Sequence, residues 1–203
     1  MTSSPSDTGT TTDPLQQFAD GVAASVGGEA VIEFGTVKVR VPASEWVSAL
    51  TKARDELGLV FFSWLSAVDW ASEVEVGDPY PEAVEDRYEL LATVADLSEG
   101  RRVVFSTDIH KSAPSIASLV EVYAGANWHE REAHEMFGIE FDGHPNLAHL
   151  YLPDSFLGHP LRKSFPLLSR EVKPWPGTVD VEAMPGGEDE EAPEGPSEEN
   201  PEA

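Results

Sequence analysis

The 203-residue chain has no cysteine, few basic residues and no long hydrophobic run, and each absence closes a class of function. Without cysteine there is no disulfide, thiolate zinc site, iron–sulfur ligation or cysteine nucleophile, so a redox role needs a cofactor held elsewhere. Lys and Arg number 13 against 37 Asp and Glu, a formal net charge of −24. Such a chain repels nucleic-acid phosphates and anionic lipid, and its electrostatics favour a protein partner. The longest mostly apolar stretch, residues 59–68, is broken by two serines and stops at Asp69, well short of the ~20 residues that a membrane-spanning helix requires. Residues 1–13 are rich in Ser and Thr without an early positive charge, so no secretory signal is read there and a cytoplasmic location is expected.

What is present falls into four parts. Residues 1–12 and 181–203 have the composition of disordered ends, the latter carrying nine acids, four prolines and no Lys or Arg. Residues 13–138 read as an α+β domain. Asp13 and Pro14 can start a helix in which Leu15, Phe18, Ala19, Val22, Ala23 and Val26 share a face, and Gly27-Gly28 stops it. Residues 30–34 and 37–41 flank Gly35-Thr36, which suits a type II′ hairpin setting Glu33 opposite Lys38. Ser44 can cap a second helix with Trp46, Val47, Leu50, Ala53 and Leu57 on one stripe, closed by Gly58. Strands follow at 59–68, 88–94 and 102–107, then a short helix from Pro114 with Ile116, Leu119, Val120 and Tyr123 on one face. The economical fold is a two-layer mixed sheet of about five strands with helices on one face.

Beyond Gly138 the periodicity vanishes while apolar residues persist. Phe141, Leu147, Leu150, Tyr151, Leu152, Phe156, Leu157, Leu161, Phe165, Leu167, Leu168 and Trp175 are strewn among Gly, Pro and His. About forty residues without regular structure exceed ordinary loop lengths, and their composition is too apolar for a solvated linker. Residues 139–180 therefore read as an extended arm lying along another protein, the alternative being a belt around its own domain.

Before the arm, Asn127 and Glu130 have the spacing of a capping box, which starts a helix over 128–137 ended by Gly138. His129-Glu130 followed by His134 superficially resembles a zinc-hydrolase pair. Ligands at i and i+4 lie about 40° apart around the axis, whereas i and i+5 lie about 140° apart and cannot share a metal from one face. His144 and His159, each in Gly-His-Pro, suit turn histidines bonded to backbone. Asp69 is a strand-end carboxylate or a candidate acid or base. No phosphate-cradling loop or serine-hydrolase elbow is present. The helix is charged on nearly every side, with Arg131 able to reach Glu135, and Arg162-Lys163 with Arg170 and Lys173 form the main basic cluster.

These residues also carry a family resemblance. Residues 130–139 (Glu-Arg-Glu-Ala-His-Glu-Met-Phe-Gly-Ile), 143–147 (Gly-His-Pro-Asn-Leu) and 158–167 (Gly-His-Pro-Leu-Arg-Lys-Ser-Phe-Pro-Leu) closely resemble the signature of the C subunit of bacterial NADH-quinone oxidoreductase, respiratory complex I. Residues 65–70 and 125–128 extend the match to roughly 58–168. Two departures are Glu135, where Asp is commoner, and Ala148, where a basic residue is frequent. The resemblance implies a non-catalytic, peripheral subunit on the cytoplasmic side of the cell membrane, binding neither flavin nor cluster and having no active site of its own. FMN and iron–sulfur clusters would lie in other subunits, passing electrons from NADH to quinone and driving proton transport. The arm would lie against the D subunit, with the B and I subunits nearby. Partner contacts are then expected from Trp128, Glu130, Arg131, Glu132, Glu135, Phe137, His144, Pro145, Leu147, Tyr151, His159, Pro160, Leu161, Arg162, Lys163 and Phe165. The alternatives are the equivalent subunit of a related membrane-bound hydrogenase or dehydrogenase, a stand-alone acidic adaptor, and a metal hydrolase.

Overall fold

The helix that opens the fold, α1 (Pro14–Val26), begins where the Asp13 carboxylate accepts the Leu15 N–H at 3.0 Å and ends at Gly27 in the left-handed region, φ 77°. In this computed structural model, residues 13–71 and 85–166 are described. The expectations for residues 1–12, for Arg170, Lys173 and Trp175, and for the acidic tail fall outside them. Ala19, Val22 and Val26 bury the expected face of α1.

The hairpin differs from expectation by one residue. β1 (Glu29–Glu33) and β2 (Thr36–Arg40) are joined by Phe34-Gly35, with φ 50° and 70°. Positive φ at both central residues makes the turn type I′, whose twist matches that of the strands, rather than II′. Glu33 therefore pairs with Thr36, and Lys38 lies opposite Val31. Lys38 reaches across the sheet to Glu89 at 2.6 Å instead. The second helix also starts differently: a 3-10 turn (Ala43–Glu45) leads into α2 (Trp46–Asp55), and no side chain caps it. Ser44 is not its cap; Ser48 Oγ donates back to Glu45 within that turn.

Three ten-residue strands follow, β3 (Phe61–Trp70), β4 (Arg87–Asp96) and β5 (Arg101–His110). The sheet order is β1-β2-β5-β4-β3, antiparallel except for the parallel β2–β5 pair. One sheet face carries Val37, Val39, Leu65, Leu90, Ala92, Val94, Val103 and Phe105 into a single core with Trp46, Leu50 and Val22 from the helices. The opposite face is laced with charge, Lys38 and Trp70 on Glu89, and Arg40 and Arg87 on Asp108. Polar residues on one face and apolar ones on the other give the two-layer α+β arrangement its sidedness.

The expected helix from Pro114 does not form. Ser115–Ala117 is a short strand, β6, parallel to β7 (Glu140–Asp142), and turns carry the chain to α3 (Ala126–Phe137). Ile116, in β6, and Leu119 and Tyr123, in the turns after it, are nonetheless buried in the core. Tyr123 Oη donates to the Leu59 carbonyl at 2.8 Å, fastening this segment beneath β3. No helix among the described residues is long and apolar enough to cross a membrane.

Candidate partner interface

The site grows from α3 and the chain that follows it. Its N-terminus lacks the expected capping box: Gly125 is the N-cap, with no side-chain bond. Glu130, fully buried, instead accepts from Ser118 Oγ and the Leu119 N–H, each at 2.6 Å. Burial pushes its carboxyl up to about 7, the two donors opposing that rise.

An α-helix leaves its last four carbonyls without intrahelical donors. In α3 every one is met from beyond the helix. The His134 carbonyl accepts from Gly138 N at 2.8 Å, Glu135 from His159 Nδ1 at 2.8 Å, Met136 from Leu161 N at 3.1 Å, and Phe137 from Arg162 Nε at 2.6 Å. A carbonyl only accepts, so His159 carries its proton on Nδ1. Gly138 is required twice over: its φ is +73°, and a Cβ there would stand 2.1 Å from Arg162 Nη2 and 2.6 Å from His159 Nε2.

The Glu135 side chain makes the second fastening. Its carboxylate accepts the consecutive N–H groups of Leu150, Tyr151 and Leu152, the shortest at 2.6 Å. Burial would raise this carboxyl, but the three backbone donors outweigh it and hold Glu135 below its ordinary value. The expected Arg131–Glu135 pair is therefore absent. Arg131 donates to the Ala148 and His149 carbonyls at 2.8 and 3.0 Å and lies 5.8 Å from the Trp128 ring. A third fastening lies at the sheet: Lys163 N donates to Asp69 Oδ2 at 2.8 Å, while Asp69 Oδ1 meets Lys111. Asp69 is thus a buried tie rather than an available acid or base. Its link to Lys111 was missed from sequence, since strands set no such spacing; the strand-end Asp was the one available signal.

The remaining motif residues sort by exposure. Phe137 is buried; Glu132, Leu147, Pro160, Lys163 and Phe165 are half-buried; Trp128, Pro145, Tyr151 and Leu161 are exposed. His144 Nδ1 accepts from Asn146 N and Nε2 donates to the Asn127 carbonyl, the backbone-bonded role expected of a turn histidine. Phe165 stacks on Phe156 with centroids 6.0 Å apart. Leu157, which the motifs do not single out, is the most exposed large apolar side chain among the described residues of the arm. His134 Nδ1 is taken by the Ile139 carbonyl and His129 packs beside Phe62, and among the described residues no cluster of His, Asp or Glu has metal-ligand grouping.

Comparison with known proteins gives one consistent picture. Residues 39–171 match the family described as respiratory-chain NADH dehydrogenase, 30 Kd subunit. The C subunit of NADH-quinone oxidoreductase from Methylobacterium sp. (strain 4-46) is 35% identical over 159 residues, covering 77% of this chain and 69% of its own. Its namesake from Bordetella avium (strain 197N) is 30% identical over 161 residues, covering 75% and 78%. Among solved structures, a trypsin-resistant fragment of Nqo5 aligns with TM-score 0.55 at 20% identity over 65% of this chain and 98% of the fragment. A chain of the membrane-bound sulfane sulfur reductase, an archaeal respiratory membrane complex, aligns at 0.50 and 19% identity over 69% and 77%. The two structural likenesses show the fold.

Proposed function

The chain belongs to the family of the respiratory-chain NADH dehydrogenase 30 kDa subunit, the C subunit of NADH-quinone oxidoreductase, and from that premise we propose that it is a non-catalytic brace of the quinone-site region. In this reading it lies peripherally on the cytoplasmic side, its arm against the D subunit with the B and I subunits nearby. FMN and the iron–sulfur clusters belong to other subunits, and this chain supplies no reactive group.

One observation carries the reading: Arg131, Glu135, His144, His159 and Arg162 of the motifs are spent on backbone groups of the same chain, while Trp128, Tyr151, Leu157 and Leu161 stand exposed beside them. A residue whose hydrogen-bonding capacity is filled by structural partners is poorly placed to carry substrate or protons, whereas a fixed apolar surface suits a lasting contact. The test is deletion of the chain from cells, followed by isolation of the enzyme. NADH-quinone activity should vanish together with assembly, while NADH oxidation by a soluble artificial acceptor persists in the remaining subunits. Full quinone-linked activity without the chain would refute the bracing role. Mass spectrometry of the native assembly separates NADH-quinone oxidoreductase from a related membrane-bound hydrogenase or dehydrogenase by its companion subunits.

A further inference from the structure

Apolar side chains exposed singly are ordinary, whereas several grouped on one ordered face mark an interaction surface. Trp128, Tyr151, Leu157 and Leu161 are 66, 65, 88 and 52% exposed. Trp128, Arg131, Glu132 and Glu135 are spaced at i, i+3, i+4 and i+7 and so share one side of α3. The arm lies along that side, because Arg131 holds the Ala148 and His149 carbonyls and Glu135 holds the Tyr151 N–H. Leu161 is set at the end of the same helix through the Met136 carbonyl, with Leu157 on the intervening loop beside Phe156, which stacks on Phe165.

We propose that these four side chains form a recognition surface, ordered before any partner arrives, for an apolar groove of a neighbouring protein rimmed by Lys or Arg. The inference rests on the assembly reading above and specifies the chemistry of the partner. Fixed backbone positions remove much of the ordering cost of association, and Trp and Tyr are the residue types that dominate binding energy at such centres. Charge selects the rim. The guanidinium groups of Arg131 and Arg162 are committed to carbonyls of the chain itself, whereas Glu132 and the exposed Asp154 have no side-chain partner among the described residues. Open carboxylates beside the apolar surface, on a chain of net charge −24, are complementary to a basic rim and repel an acidic one.

The experiment uses the purified full chain and the enzyme subassembly isolated from cells lacking it, with binding followed across a salt series. W128A and L157A should each weaken association by about tenfold or more, and together with E132Q and D154N they separate apolar from charge contributions. E132Q with D154N should flatten the salt dependence of the affinity while leaving high-salt binding nearly unchanged. Hydrogen exchange over 148–163 should be the same in all four variants as in the parent chain, which excludes unfolding as the cause of lost binding. Parent-like affinity in the W128A, L157A double variant, or a salt slope unaffected by E132Q and D154N, overturns the proposed surface while leaving the assembly reading intact. Failure of the parent chain itself to bind the subassembly overturns both.

Discussion

The two halves of this molecule are held together by different physics. In the sheet half, Val22, Trp46, Leu50, Val94 and Phe105 meet in one core, and stability comes from apolar area removed from water. In the half built on α3, the chain from 139 to 166 has only one short strand, β7, and is fastened by Glu135, His159, Arg162 and Asp69 to backbone groups. The first mechanism hides those core residues inside the fold, although Phe34, Val60, Phe61, Trp64 and Leu97 of the same half remain exposed. Ile139 and Phe141 still reach that same core, but beyond them the second mechanism fixes a backbone while leaving Tyr151, Leu157 and Leu161 exposed, which is what an interaction surface needs.

The contrast predicts unequal responses to mutation. Phe105→Ala should cost about 3–5 kcal/mol in chemical denaturation and loosen both halves, because the whole structure leans on that core. Gly138→Ala should cost roughly 2–4 kcal/mol, from left-handed strain plus displacement of Arg162 and His159, and hydrogen exchange should rise in the arm before it rises in the sheet. Simultaneous loss across both halves would contradict the separation.

The two carboxylates of α3 sharpen it further. Glu130 binds its proton more tightly in the folded state, so its contribution is complete below the ordinary value of 4.5 and is lost as pH rises through about 7. Glu130→Gln should remove that fall, a relative gain on the order of 2–3 kcal/mol near neutrality in a series of unfolding curves against pH. Glu135 has the opposite sign: its contribution is present above the ordinary value and lost as pH falls toward its lowered folded value. Glu135→Gln should cost about 1–2 kcal/mol, because one amide oxygen replaces an acceptor of three N–H groups. Its exchange signature should centre on 150–152; an effect confined to the sheet would break the assignment.

The same contrast explains what could be read from sequence. Periodicity located α1, the three long strands and the sheet's sidedness, because a buried face must repeat at 3.6 or 2 residues. It misplaced the hairpin by one residue, since Gly35 serves equally as the first or second residue of a tight turn until the exposed Phe34 is known to take φ 50°. It read Ile116, Leu119 and Tyr123 as a helix when a short strand, β6, and the turns after it bury the same residues. At the site, residues were legible and their partners were not. Glu130 looked like a cap and Arg131 like a partner for Glu135, whereas both turn to backbone groups elsewhere in the chain, a choice that leaves no spacing rule in the sequence.

The most direct test of the central claim is hydrogen exchange on the isolated full chain with no other subunit present. A self-fastened arm predicts slow exchange at the amides of Leu150, Tyr151, Leu152, Leu161 and Lys163, comparable to those of α3. Exchange at the unprotected rate there, becoming slow only after assembly, would show that the partner and not the chain itself orders the arm.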